Sequence, residues 1–474
     1  MKLFIPALAL SLLTVSCVST ESDNTEIVKQ SAHTTPIPVS APSSLPRNII
    51  MVIGDGMGPA YTTAYRYFSD NPNTEIVEET VFDRHLRGLS STYPASVSGV
   101  VTDSAASATA LATGVKSYNG AIGVDVNKQE IQTVLEWAKL QGKKTGVVVT
   151  SQINHATPAS YLAHNENRRN YNAIADSYID SGIKADLYLG GGWKYFLRED
   201  RNLVAEFKQA GFHYIDNYQD LTKLPSNKPV LGLFADAGLP WALDDTNKHR
   251  LSTMAKAGIH HLIDLQSSDN IADEGFFMLI EASQVDWAGH GNDISDAMAE
   301  MDDLAKTVEY LEHFVGHHPD TLVIVTADHS TGGFTLAANG KYEWNAENLR
   351  TMKHSINYIA KQLATNDISA EQTTSLFNFA LSQDELTLLK DSKDNAKVNK
   401  KKNIYQSKNM SASELALIKS VKGIMDERTN SGWTSGGHTA VDVPVFAFGK
   451  QSELFNGSQD NTDIAKKIFM LLGK

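Results

Sequence analysis

The chain has 474 residues, 42 basic against 55 acidic side chains, and a formal net charge of −13. That balance argues against nucleic-acid binding, which needs a basic face to neutralise phosphates. A single cysteine excludes an intramolecular disulfide framework.

Met1 and Lys2 precede an apolar run from Leu3 to Leu13, too short to span a bilayer and fitting the central part of a secretory signal. The run leads through LLTVSC to Cys17, set after small residues as in a bacterial lipoprotein processing site. The expectation is an exported protein, lipidated at Cys17 and anchored on the periplasmic side of a membrane, with Val18 suited to the outer membrane. The alternative is cleavage near residue 19 to release a soluble periplasmic protein. Residues 18–47, rich in Ser, Thr and Pro, cannot bury enough surface to fold alone and read as a flexible tether.

The first strand-like run, 48–53 (NIIMVI), ends in Gly54, Asp55, Gly56, Met57 and Gly58. Asp103 and Ser104 then open an Ala-rich stretch with strong helical propensity. A hydroxyl in a first helical turn faces unpaired N–H groups and the positive end of the dipole, which favour an alkoxide and a bound phosphoryl group. The same pair also reads as an ordinary N-cap.

Further strand-like runs follow at 145–150, 186–189 and 229–234. The run at 276–281 leads to Glu281, Asp286 and His290, and a helix is expected at 295–314. The run at 321–326 leads to Asp328 and His329; His438 precedes the last run, 443–448, and a closing helix is expected at 463–472. The alternation predicts a three-layer α/β/α sandwich with a mostly parallel central sheet. Ligands of open α/β sheets bind at the carboxyl ends of strands, so these Asp, Glu and His residues are expected to converge on one crevice. Singly, each has a plainer reading as a turn residue or a surface i,i+4 pair. Jointly, oxygen and imidazole ligands without thiolate suit catalytic zinc, and an all-oxygen subset suits magnesium.

These motifs together resemble the alkaline phosphatase family: GDGMG at 54–58, TDSAASATALATG at 102–114, HATPA at 155–159, the spaced Glu281, Asp286 and His290, ADHSTGG at 327–333 and SGGHT at 435–439. The resemblance runs from about Asn48 to about Leu472. It implies two zinc ions and one magnesium per subunit, the first zinc on Asp286, His290 and His438, the second on Asp55, Asp328 and His329 with the Ser104 oxygen. Magnesium would share Asp55 and take Glu281 and the Thr157 hydroxyl. Arg168, with Arg169 beside it, matches the family's phosphate-clamping arginine. The activity implied is hydrolysis of phosphate monoesters to alcohol and inorganic phosphate through a phosphoserine at Ser104, with small soluble esters as substrates.

His155 and Trp287 stand where the best-studied bacterial pattern has Asp and Lys, implying weaker binding of product phosphate and a more alkaline optimum. With Asp103 they are expected as substrate contacts or supports of the ligands, Trp287 equally as a packing residue. Residues 48–474 read as one catalytic domain, because the implied ligands extend from Asp55 to His438. Most of 338–431 reads as an insertion, crown-like in the family and often reaching a twofold partner, so a homodimer is expected. Within it amphipathic helices are expected near 346–364 and 411–427, and the lysine-rich stretch 390–403 as a solvated loop.

Among rivals, sulfatases need a modifiable Cys or Ser followed by Pro and Arg, whereas Ser104 is followed by Ala105, Ala106, Ser107 and Ala108. Diesterases of the superfamily usually carry a threonine nucleophile and would lack the matched Arg168. A non-enzymatic surface scaffold predicts a missing ligand or nucleophile, and none is missing.

Overall fold

The computed structural model describes residues 45–268, 274–396 and 410–474. The expected signal segment, Cys17, nearly all of the tether and the end of the lysine-rich stretch lie outside the described residues. The strands are β1 (Asn48–Gly54), β2 (Leu86–Ser91), β3 (Lys144–Gln152), β4 (Leu187–Gly191), β5 (His213–Ile215), β6 (Val230–Leu233), β7 (Phe276–Ala282), β8 (Thr321–Thr326), β9 (Ser330–Thr331), β10 (Phe334–Leu336), β11 (Ser431–Trp433), β12 (His438–Thr439), β13 (Val443–Gly449) and β14 (Gly457–Asp460). Ten of them form one sheet in the order β14-β2-β13-β8-β1-β7-β3-β4-β6-β5. From β8 to β5 every pairing is parallel, and β13 alone runs against its neighbours β8 and β2.

The strands read as unbroken apolar runs because both faces are covered. In β1, Ile50 and Val52 join one core while Ile49, Met51 and Ile53 join the other. The first core is closed by helices Pro59–Ser69, Arg250–Ser268 and Ile294–His317, through residues such as Tyr61, Met254 and Leu304. The second is closed by Ser104–Thr113, Val134–Leu140, Ala156–Leu162, Tyr171–Asp180 and Asn461–Leu471, through residues such as Leu111, Leu135 and Ile468. The expected three layers are therefore present. All seven expected strands occur, with ends shifted by at most two residues, whereas β2, β5 and β14 were not anticipated. No described helix is long and apolar enough to cross a membrane.

The segment 338–431 holds helices Glu347–Thr351, Ile356–Thr365, Ala370–Phe377, Gln383–Asp394 and Ala412–Thr429. The expected single helix at 346–364 is in fact two. Ser355 is extended, and its hydroxyl accepts from the Tyr358 N–H at 3.0 Å, so it caps a new start. The lysine-rich stretch also differs from expectation, because residues 390–394 end a helix instead of forming a loop. A Ser382/Glu385 capping box starts that helix and buried Leu386 and Leu389 hold it down, so it runs on into lysines that favour helix. The helices share the first core through Ile356, Leu389 and Val421. The excursion leaves and returns through a paired neck, β10 against β11 and β9 against β12.

Candidate active site

Four adjacent parallel strands, β8, β1, β7 and β3, present their carboxyl ends side by side. Asp55 follows β1, Glu281 lies at the end of β7, Asp328 and His329 follow β8, and His155 and Thr157 follow β3. Because β13 is reversed, the residues before it reach the same edge, which brings in His438.

Ligand atoms of Asp286, His290 and His438 lie within 4.8 Å of one another, as do those of Asp55, Asp328 and His329. Nδ1 of His290 lies 2.8 Å from the Gly436 carbonyl, and Nδ1 of His438 lies 2.8 Å from that of Thr102. Each Nδ1–H is thus committed to backbone, which leaves the two Nε2 lone pairs facing each other at 3.1 Å, with Asp286 oxygens 3.4 and 3.6 Å away. Two imidazole nitrogens and a carboxylate at that spacing are a cation cradle. Burial, with the His329 charge, lowers the His438 pKa to about 4, which keeps the ring neutral as a ligand.

In the second cluster His329 Nε2 sits 3.4 Å from Asp55 Oδ1, 3.2 Å from Asp328 Oδ2 and 3.2 Å from Ser104 Oγ. Among the described residues neither Asp55 oxygen has a hydrogen-bond partner, nor do Glu281 Oε1 and Thr157 Oγ1. Burial and the charges of Asp328, Asp286 and Glu281 push the Asp55 carboxyl well above its usual range. Glu281 is raised to about 7, chiefly by burial, with the Ser283 and Thr157 hydroxyls opposing. Such concentrated buried negative charge is costly unless cations sit among it, so the donor set fits zinc and magnesium.

In the third group Asp55 and Glu281 are joined by His155, whose buried Nδ1 has no hydrogen-bond partner among the described residues. Burial and the Arg168 charge hold the His155 pKa near 3, leaving a neutral imidazole among the oxygens.

Ser104 is the first residue of its helix and almost fully buried. Asp103 is an N-cap, as its plainer reading had it, but it does more than cap. Its Oδ1 accepts from the Ala106 and Gly120 N–H groups at 2.9 and 3.0 Å, while Oδ2 accepts from Arg168 Nη1 at 3.0 Å. That ion pair sets Arg168, and not exposed Arg169, against the serine's helix. The guanidinium also lies 3.5 Å from His155 Nε2.

Above these groups opens a cleft of about 660 Å³ lined by Asp103, His155, Arg168, Trp287, His290 and His438 among others. Trp287 packs, as its plainer reading had it, and also lines the cleft. Its ring packs on Gly238, where no Cβ would fit, and it stands edge-on to His155 at 5.8 Å in the cleft wall.

Sequence reasoning quoted Thr331 inside ADHSTGG without giving it a task. Its Oγ1 donates to Asp286 Oδ1 at 2.5 Å and lies 3.2 Å from His329 Nδ1, so one hydroxyl ties the two clusters and turns His329 Nε2 toward Ser104. Gly56 was equally unexplained. It has φ +76°, a Cβ there would lie 2.7 Å from the Asp286 Cα, and its N–H donates to Asp328 Oδ1 at 3.1 Å. Tyr171, stacked beside His155 at 6.5 Å, is a further cleft residue without a motif to announce it.

A family model described as alkaline phosphatase matches residues 46–473. Alkaline phosphatase 3 of Bacillus subtilis (strain 168) is 44% identical over 431 residues, covering 90% of this chain and 89% of that protein. The crystal structure of a cold-active alkaline phosphatase from a psychrophilic Shewanella species matches with a TM-score of 0.81 at 46% identity, over 90% of this chain and 100% of that one. The alkaline phosphatase of the Antarctic bacterium TAB5 matches with a TM-score of 0.64 at 28% identity, over 91% and 98%.

Proposed function

Because the chain belongs to the alkaline phosphatase family and is a metal-dependent phosphoric monoester hydrolase, we propose that Ser104 is its nucleophile and Arg168 its phosphate clamp. The observation that carries this reading is the position of Ser104 Oγ, at the head of a helix and 3.2 Å from His329 Nε2 in the cluster of Asp55, Asp328 and His329. Asp286, His290 and His438 would hold one zinc and Asp55, Asp328 and His329 a second, while Asp55, Glu281 and Thr157, with His155 close by, would hold magnesium. These ions supply positive charge that favours the serine alkoxide and the departing oxygen.

Everything else is work for the chain's own groups. The Ser104 and Ala105 N–H groups, the first-turn donors that the Asp103 side chain does not take, face the phosphoryl oxygens. Arg168, braced by Asp103, forks two of those oxygens, a geometry lysine would not reproduce. Ser104 Oγ forms the bond to phosphorus as the ester P–O bond breaks and the alcohol leaves. Water then breaks the Oγ–P bond and releases inorganic phosphate, restoring the hydroxyl.

The test compares an aryl phosphate, a bis-aryl phosphate and an aryl sulfate, with Ser104→Ala and chelator controls. Turnover confined to the monoester, and lost in both controls, is expected. Equal turnover of the diester, or full activity after chelation, would overturn the assignment.

The cellular setting belongs to the same proposal. Residues 1–17 act as an export signal ending in a lipidated Cys17, 18–47 as a tether, and 48–474 as one catalytic domain that pairs into a homodimer. Mass spectrometry of the mature N-terminus and light scattering test these points. An unmodified terminus near residue 19 would favour the soluble periplasmic form.

A further inference from the structure

Two arginines stand in succession at this cleft, and their surroundings differ. Arg168 is engaged by Asp103 and, in the proposed reaction, by the phosphoryl group. Arg169 is exposed; its backbone N–H is held by Asn167 Oδ1 at 3.0 Å, and its guanidinium has no ion pair or hydrogen bond among the described residues. Both line the same cleft. The Tyr171 phenol registers both, since burial raises its pKa while the two guanidinium charges pull it back.

The charge balance at the mouth then follows. The acidic side chain among the cleft's lining residues is Asp103, and its carboxylate is already spent on two backbone N–H groups and on Arg168. Arg169 therefore faces the opening uncompensated. An ester whose phosphate fills the Arg168 position must leave its alcohol portion in the open part of the cleft, because the ligand clusters behind are buried.

We propose that Arg169 is a specificity-determining residue that favours phosphate monoesters whose alcohol portion carries a second anionic group, a carboxylate or another phosphate, over esters of neutral alcohols. This rests on the phosphatase reading of the site and extends it to the class of substrate. Arg169 touches the remote anion and takes no part in the bond changes at phosphorus. An exposed ion pair of this kind supports a discrimination of about threefold to fivefold.

The experiment uses the full, metal-loaded enzyme and two esters alike in their phosphorylated carbon, 3-phosphoglycerate and glycerol 3-phosphate. The quantity read is the ratio of their kcat/KM values. Arg169→Gln is expected to lower that ratio by about threefold to fivefold, Arg169→Glu to lower it further and Arg169→Lys to retain most of it. In about 0.5 M salt the wild-type and Gln ratios should converge, because an exposed pair is screened. A ratio unchanged in both the Gln and the Glu variants, or a difference that persists at high salt, overturns the proposal. Failure of the wild-type enzyme to hydrolyse glycerol 3-phosphate would instead overturn the phosphatase reading itself.

Discussion

Thr331 shows how much of the site depends on a side chain that binds nothing itself. With its hydroxyl donating to Asp286, the His329 Nδ1–H has an acceptor and the Nε2 lone pair points at Ser104. Thr331→Val should weaken zinc binding by about 10–100-fold, measured by competition with a chromogenic chelator, while Thr331→Ser restores it. Ser104→Ala is expected to cut turnover of an aryl phosphate by about a thousandfold or more, with metal content unchanged. The pair His155 and Trp287 carries neither a carboxylate nor an ammonium at the two positions where the best-studied bacterial pattern has Asp and Lys. The double variant His155→Asp, Trp287→Lys should therefore tighten inhibition by inorganic phosphate, and an unchanged inhibition constant would count against that role. At this scale the clustered Asp, Glu and His residues were legible because each belongs to a motif near a strand tip. Thr331, Gly56 and Tyr171 were not, because their work depends on which distant residues they meet: Thr331 reaches back 45 positions in the chain to Asp286.

Among elements, the buried strands were readable from their apolar runs, but β2 was not, since it is a partly exposed edge-side strand with Leu86 and Leu89 open to solvent. β5, of three residues, is too short to show a period. The apolar periodicity across 346–364 continues through the break, and the Ser355 cap was the signal that marked it. The helix Ala412–Thr429 makes a specific pH prediction. Asp426 on it is raised to about 7, chiefly by burial, with the Trp433 hydrogen bond and Lys422 opposing and the Asp293 charge adding to the rise. A carboxyl whose folded pKa exceeds its unfolded value favours the folded state while protonated. That contribution is complete below the unfolded pKa and fades as pH rises to and past about 7. Asp426→Asn keeps an acceptor for Trp433 and removes the cost of ionisation. It should raise the melting temperature at pH 8–9 relative to wild type, by the equivalent of about 1–3 kcal/mol, and have little effect near pH 4. A variant equally destabilised at both pH values would contradict this account.

For the whole molecule, the sheet gathers Asp55, Glu281, Asp328 and the ligand atoms around them into one buried, negatively charged centre. Removing metal should therefore lower stability as well as activity. Exhaustive chelation is expected to reduce the melting temperature by at least about 5 °C, with recovery on adding zinc and magnesium, as calorimetry would show. The neck formed by β9 with β12 and β10 with β11 carries a different implication. Roughly a hundred residues depart from and come back to almost one point, so the entropy of closing that excursion grows only logarithmically with its length. Doubling it would cost about 0.6 kcal/mol. Closure entropy thus sets little limit on the length of this lobe, while the two-residue ladder of β9 with β12 holds His438 in register with Thr331.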